Sequence, residues 1–371
     1  MLFPLAMDAP VSLFQFFYPE RRETETKRLY EAFHSGNYEC IVHFFEENQQ
    51  NACTFPLASS SEKAIEEELL EEVARKLLNN LDSFYFFKNH GQFYAISDEK
   101  IYHFSHIVKK VNWNHIRFEP EQCNAYHFLL TSKQLLQAPH IDGLDRLPVE
   151  EDFGSIDEPL TLPEKEAINI YTGKLYRAMN AFMRGDIEKA ISFFSHENEI
   201  SNDKINHWIK EIFLHSVMAV SALHRLSDHQ NETHPYLYRV EKEVPISDLH
   251  KRQLAVSYGG GITSEMGFLS TAYDKPAESY FNEQTEVAIL IENRKGKNIT
   301  FFSRCGSLER EILLPPTQMQ WLGQVKIADS TGKHTLYLFL ARPVTVDQEL
   351  TIDNFSPLPE WKVFPLQNIP K

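Results

Sequence analysis

The stretch 236-YLYRVEKEV-244 alternates apolar and polar residues. That is the two-residue period of a half-buried strand. In its middle stands Arg239. A guanidinium on a strand is either a solvated surface residue or a planar clamp for a phosphate or carboxylate. The downstream sequence decides between the two. Short alternating runs succeed one another, separated by Gly, Pro and Asn: GFLSTA at 267–272, EVAILIEN at 286–293, ITFFSR at 299–304, EREILLPP at 309–316, QMQWLGQVKI at 318–327 and TLYLFLARPV at 335–344. They predict the strands of a mixed or antiparallel sheet system.

Upstream of Arg239 the pattern is helical. LPEKEAINIYTGKLYRAMNAFMRGD at 162–186 carries Ile168, Tyr171, Leu175, Tyr176 and Met179 along one side, and KINHWIKEIFLHSVMAVSALHRL at 204–226 is a long apolar helix. A stretch rich in Pro, Gly and acids, 139–163, reads as a connection, with the linker itself at 151–163. Before it, residues 1–150 read as a separate α/β unit. That unit contains a helix over 59–81 with a Ser59–Glu62 capping box, a hairpin around Asn89-His90-Gly91, and a strand with a short helix over 125–137. The expected organisation is an N-terminal domain at 1–150 and a second domain at 164–371, the latter with a helical lobe at 164–230 and a β core at 235–345.

Composition narrows the function. The net charge of −15 argues against a nucleic-acid surface, which needs clustered Lys and Arg. Cys40, Cys53, Cys123 and Cys305 form no CxxC pair and imply reduced thiols. The apolar N-terminus lacks a positive n-region and is interrupted by Asp8, so no cleaved signal peptide is expected. No apolar run is long enough for a membrane span. His103, His106, His115 and His127 fit no metal-ligand spacing, and Gly259, Gly260 and Gly261 lack the ending of a phosphate loop. No metal is expected.

Three features of the second half belong together: Arg239, the hydroxyl pair Ser270-Thr271, and Glu309 with Glu311. Residues two apart on a strand share a face. The two carboxylates therefore point into one space, where each raises the other's pKa. An arginine, hydroxyls and paired carboxylates suit a ligand that carries a diphosphate and develops a cation.

In this order the segments Tyr238-Arg239, Gly267-Phe268-Leu269-Ser270-Thr271-Ala272 and Glu309-Arg310-Glu311 before Leu313-Leu314-Pro315 resemble the arginine–serine–glutamate class of mono-ADP-ribosyltransferases. YTGKLYRAMNAFMRG at 171–185, with Tyr171, Tyr176, Asn180 and Arg184, is similar to that family's helical-lobe motif. VAILIENRKGKNITFFS at 287–303 resembles its strand segment before the glutamates. The resemblance covers about 160–345. It implies an α+β fold, with two packed sheets forming an NAD cleft beside a helical lobe. It also implies NAD as substrate and transfer of ADP-ribose to a host protein, with arginine as acceptor, as in toxins and effectors of Legionella-like bacteria that reach the host cytosol by a non-Sec route. Carried over residue by residue, Arg239 binds the diphosphate, Ser270 positions Glu311, Glu311 stabilises the cationic ribose, and Glu309 orients the nucleophile. Val240, Thr271 and Phe268 complete the NAD contacts, with Tyr273 as a second aromatic beside the nicotinamide. Val240 stands where the family has glycine, and Ala272 where it has a third serine. Two other readings share the NAD contacts: an NAD glycohydrolase and an NAD-binding module without turnover.

Overall fold

Strand β4 (Tyr236–Glu241) lies inside an eight-stranded sheet of order β5-β10-β11-β7-β4-β6-β9-β8. The computed structural model describes residues 19–47, 70–113 save 71, 98–99 and 112, 160–194, 201–229, 233–257, 260–276, 281–304 save 283, 310–328 and 335–344. The other strands are β5 (Ile262–Glu265), β6 (Leu269–Ala272), β7 (Val287–Glu292), β8 (Lys297–Asn298), β9 (Glu311–Leu314), β10 (Thr317–Ala328) and β11 (Thr335–Val344). Among the described residues, β7 and β11 form the one parallel pair. These two also read as nearly continuous apolar runs, because both faces of the sheet are covered there.

One face packs Tyr238, Ala288, Leu290, Leu338 and Leu340 against Leu29, Phe33, Ile41 and Phe45 of helices α1 (Pro19–Ser35) and α2 (Tyr38–Glu47). The other packs Leu237, Ile289, Trp321 and Phe339 against Ala255 of a helix over Ile246–Ser257.

The sheet has a weak seam. Strand β4 pairs with β7 over six residues, from Tyr236↔Glu292 to Glu241↔Val287. With β6 it pairs only at Tyr238↔Ala272. The eight strands are thus two part-sheets, β5-β10-β11-β7-β4 and β6-β9-β8, joined at one residue pair.

The helical lobe carries α3 (Phe104–Lys110), α4 (Leu162–Ile170), α5 (Tyr176–Met183), α6 (Ile187–Ser192) and α7 (Asn202–Arg225), and the sheet helix Ile246–Ser257 comes next as α8. Helix α4 starts at Leu162, slightly before the expected boundary, because Glu164 accepts from the Thr161 backbone N–H at 2.8 Å in a capping box. The helical stretch over 162–186 is interrupted. Two helices meet at a kink over Tyr171–Leu175, where Gly173 leaves the helical conformation.

The hairpin around His90 is present between β1 (Tyr85–Asn89) and β2 (Gln92–Ser97), with positive φ at both His90 and Gly91. β3 (Lys100–His103) completes a small sheet. Its Phe86, Phe93 and Ala95 bury in the same cluster as Phe104, Phe182 and Phe213. Both groups of described N-terminal elements therefore lay their apolar side chains in clusters shared with the second half of the chain. The Ser59–Glu62 box and the 125–137 segment lie outside the described residues.

ITFFSR is a turn rather than a strand. Asn298 Oδ1 accepts from Thr300 N at 3.0 Å, and Phe302 N and Ser303 N both donate to Ile299 O at 2.9 Å. An Asx turn of this kind outcompetes the alternation that suggests a strand.

The α1–α2 turn ties the first helices to the seam. Tyr238 donates its hydroxyl to Gly36 O at 2.6 Å. Gly36 has φ +80°, and a side chain there would overlap the carbonyl oxygen of Asp274. We expect Gly36→Ala to cost at least about 1–2 kcal/mol from the left-handed backbone alone. The urea midpoint should fall with no change in the denaturant slope.

Candidate active site

Arg239 stands where the β4–β6 ladder stops. Its Nη1 donates to the backbone carbonyl of Ser270 at 2.8 Å, and its Nε donates to Glu241 Oε1 at 2.7 Å. Nη2 has no acceptor among the described residues. Glu241 lies two residues on along the strand, hence on the same face. It is nearly enclosed and also accepts from Arg252 Nη1 of α8 at 2.5 Å. Arg252 in turn lies 5.0 Å over the Trp321 ring and 3.6 Å from Glu265. Burial alone would raise the Glu241 carboxyl. The charges of Arg252 and then Arg239, with their hydrogen bonds, overcome this and hold it well below the usual carboxylate range.

Ser270 joins the arginine to the carboxylate. Its hydroxyl donates to Glu311 Oε1 at 2.6 Å, while its carbonyl accepts from Arg239. The register sets Ala272 opposite Glu311, so Ser270 is the diagonal neighbour on the same face. The other oxygen, Oε2, accepts from the Ser303 hydroxyl at 3.2 Å. Glu311 is only 5% exposed, so hydroxyl donors take the place of water around much of its charge.

The lobe backs this assembly through Tyr171. Burial, and then the negative charge of Glu311, pushes the Tyr171 phenol well up, so it stays a neutral donor. Asn180 Nδ2 donates to the Tyr171 hydroxyl at 3.3 Å, and Asn180 Oδ1 accepts from Phe268 N at 2.7 Å. A Cβ at Gly267 would stand 3.0 Å from both Asn180 and Arg184, so strand and lobe approach closely there.

Of the residues singled out in the sequence, Arg239, Ser270 and Glu311 come together. Glu309 lies outside the described residues. Phe268 is 0% exposed, and its ring packs edge-on to Tyr171 at 5.1 Å, so its ring is core rather than a nicotinamide platform. Thr271 is buried on the opposite face from Ser270 and staples β6 to β9 through Ile312 O at 2.7 Å. Val240 packs with the α1–α2 cluster, which leaves only its backbone for a ligand. Tyr273 sits with His229 and His234, under Arg310. His103 accepts from His106 N at 3.2 Å as the cap of α3. Sequence reasoning misses Glu241, Arg252 and Ser303. Glu241 carries a signal, as the same-face neighbour of Arg239. Arg252 and Ser303 carry none, since only folding brings them close.

We expect Glu241→Gln to lower stability at pH 7 by about 3 kcal/mol, as when one partner of a buried ion pair is removed. A depressed folded-state pKa stabilises above the unfolded value of about 4.3. That stability is lost as pH falls below this value toward the folded one. Denaturant midpoints read from pH 7 down to 3 should show this loss in the wild type. In the variant, that part of the slope should be missing.

No curated protein matches the chain. Among solved structures it is similar to the ADP-ribosyltransferase HopU1 of Pseudomonas syringae pv. tomato DC3000, at 19% identity over 62% of this chain and 89% of that one, with a TM-score of 0.36. It is also similar to the Vis toxin of Vibrio splendidus, at 16% identity over 64% and 91% and a TM-score of 0.35. A third is the type III effector XopAI of Xanthomonas axonopodis pv. citri, at 13% identity over 78% and 96% and a TM-score of 0.36. The family model of ADP-ribosyltransferase exoenzymes matches residues 149–341, just over half of the chain, and takes in Arg239, Ser270 and Glu311. With more than half its length matched, the chain belongs to the ADP-ribosyltransferase exoenzyme family.

Proposed function

We propose that the chain transfers ADP-ribose from NAD to an arginine side chain of a host-cell protein, with release of nicotinamide. The observation that carries this reading is the hydrogen-bonded chain Arg239–Ser270–Glu311, at 2.8 and 2.6 Å. Arg239 is fixed through two of its nitrogens and keeps Nη2 for an anion. A diphosphate oxygen suits that donor.

Breaking the nicotinamide–ribose bond sends the electron pair to the nicotinamide nitrogen and leaves positive charge on C1 and the ring oxygen of the ribose. Glu311 is a fixed carboxylate set to stabilise that charge and to accept from a ribose hydroxyl. The acceptor guanidinium nitrogen then bonds to C1 and gives up a proton. A guanidinium is fully protonated at neutral pH, so the step needs a base beside it. Glu309 takes that role from its place in the Glu-x-Glu sequence, which in the resembling class goes with arginine acceptors. The family's description as exoenzymes supports export from a bacterial cell.

The test is labelled NAD with purified protein, agmatine as a small guanidine acceptor, and a host-cell lysate. We expect nicotinamide release, label on agmatine and labelled protein bands. Glu311→Ala should reduce each rate about 10²–10³-fold, the effect of removing a preorganised electrostatic group. Release without label on either acceptor would instead make water the acceptor. Folded protein that binds NAD without releasing nicotinamide would be a binding module.

A further inference from the structure

We infer that Ser303 is a positioning residue for the transfer reaction, held in place by a latch on the kink between α4 and α5 of the lobe. The inference rests on the reading of Glu311 as the carboxylate that stabilises the ribose cation.

Each oxygen of Glu311 has its own hydroxyl partner: Ser270 on Oε1 at 2.6 Å and Ser303 on Oε2 at 3.2 Å. The two partners come from different places. Ser270 is on a strand of the same ladder and is fixed by the sheet. Ser303 is on a turn, and a turn residue points reliably only if its neighbours are pinned. Both peptide neighbours of Ser303 are pinned to α4 and the kink after it. Asn169 Nδ2 donates to Phe302 O at 3.0 Å. Arg304 N donates to Thr172 Oγ1 at 2.9 Å, and Arg304 Nε donates to Asn169 Oδ1 at 3.1 Å. Thr172 in turn donates its hydroxyl to Asn169 O at 2.9 Å, so one side-chain pair serves all three bonds. The Phe302 ring, 1% exposed, anchors the turn in the lobe core.

The kink fits this use. Thr172 lies within it, and the Arg304 side chain passes over Gly173, its Cδ 3.4 Å from where a Cβ would stand. The product of these contacts is a fixed orientation of the turn. The latch thereby couples the lobe to the orientation of the Glu311 carboxylate, on which the developing charge depends.

The test measures nicotinamide release with saturating and limiting NAD for wild type, Ser303→Ala, Ser303→Thr, Asn169→Ala and the double variant Asn169→Ala/Ser303→Ala. Melting temperature is followed in each. We expect Ser303→Ala to lower kcat about ten-fold while KM for NAD changes less than about two-fold, because the hydroxyl acts on the reacting carboxylate and not on the rest of NAD. Ser303→Thr keeps a hydroxyl and should recover most of kcat. Asn169→Ala should lower kcat too, and its effect should vanish in the Ser303→Ala background, since both act through one bond. Wild-type kcat in folded Ser303→Ala, or fully additive losses in the double variant, overturns the inference and leaves the proposed function standing. Folded wild type that releases no nicotinamide overturns the proposed function, and the inference with it.

Discussion

Arg239 holds the sheet together where the hydrogen-bond ladder ends. Past Tyr238↔Ala272 the backbones of β4 and β6 are no longer paired. The guanidinium takes over the connection by donating to Ser270 O. A backbone gap inside a sheet leaves polar groups that need partners, and here a side chain meets part of that need. Under the proposed function, the chemistry and the fold share this one residue. This explains why so much buried charge lies behind it. Glu241 and Arg252, against the Trp321 ring, form a support that would be an expensive ornament in an ordinary sheet. Under the proposed function, the same support preorganises the guanidinium for an anion.

The legible part of the site is the part carried by single strands. Arg239, Ser270 and Glu311 each sit on a segment whose alternation can be read, and their order along the chain carries the family resemblance. The hairpin at His90 and the long helix α7 are legible for similar local reasons. The turn at 299–304 and helix α8 are not. ITFFSR alternates like a strand, and nothing in its composition shows that Asn298 turns it. Helix α8 has local signals in Pro245 and Asp248 at its start, but it lies amid strands and is absorbed into their pattern.

The rest is illegible because it is long-range. Asn169 and Phe302 are 133 residues apart, and Glu241 meets a partner eleven residues on, across a change from strand to helix. No periodicity reports such pairs. The side chains of Phe268 and Thr271 show the complementary problem. Both lie in a motif that the resemblance assigns to NAD, yet strand alternation turns Thr271 away from Ser270, and Asn180 fixes the Phe268 backbone with its ring inside the core. A motif names a neighbourhood, and the pleat decides which of its members face the ligand.

The two departures from the family pattern make sense in the same terms. Val240 is on the face that packs with α1 and α2, where a branched side chain adds apolar contact and a glycine would add none. Its presence suits a chain whose N-terminal helices are packed on the sheet. Ala272 lies opposite Glu311 in the ladder, on the same face as Ser270. Its methyl group offers the carboxylate no donor. A nearly enclosed carboxylate needs donors on both oxygens, and with a single hydroxyl on that face of β6 the second donor has to come from outside the strand. Ser303 supplies it from the turn. A hydroxyl moved from a strand to a turn is less constrained by the sheet, so it needs its own restraint, and the contacts of Asn169 and Thr172 with the residues on either side of it provide that restraint.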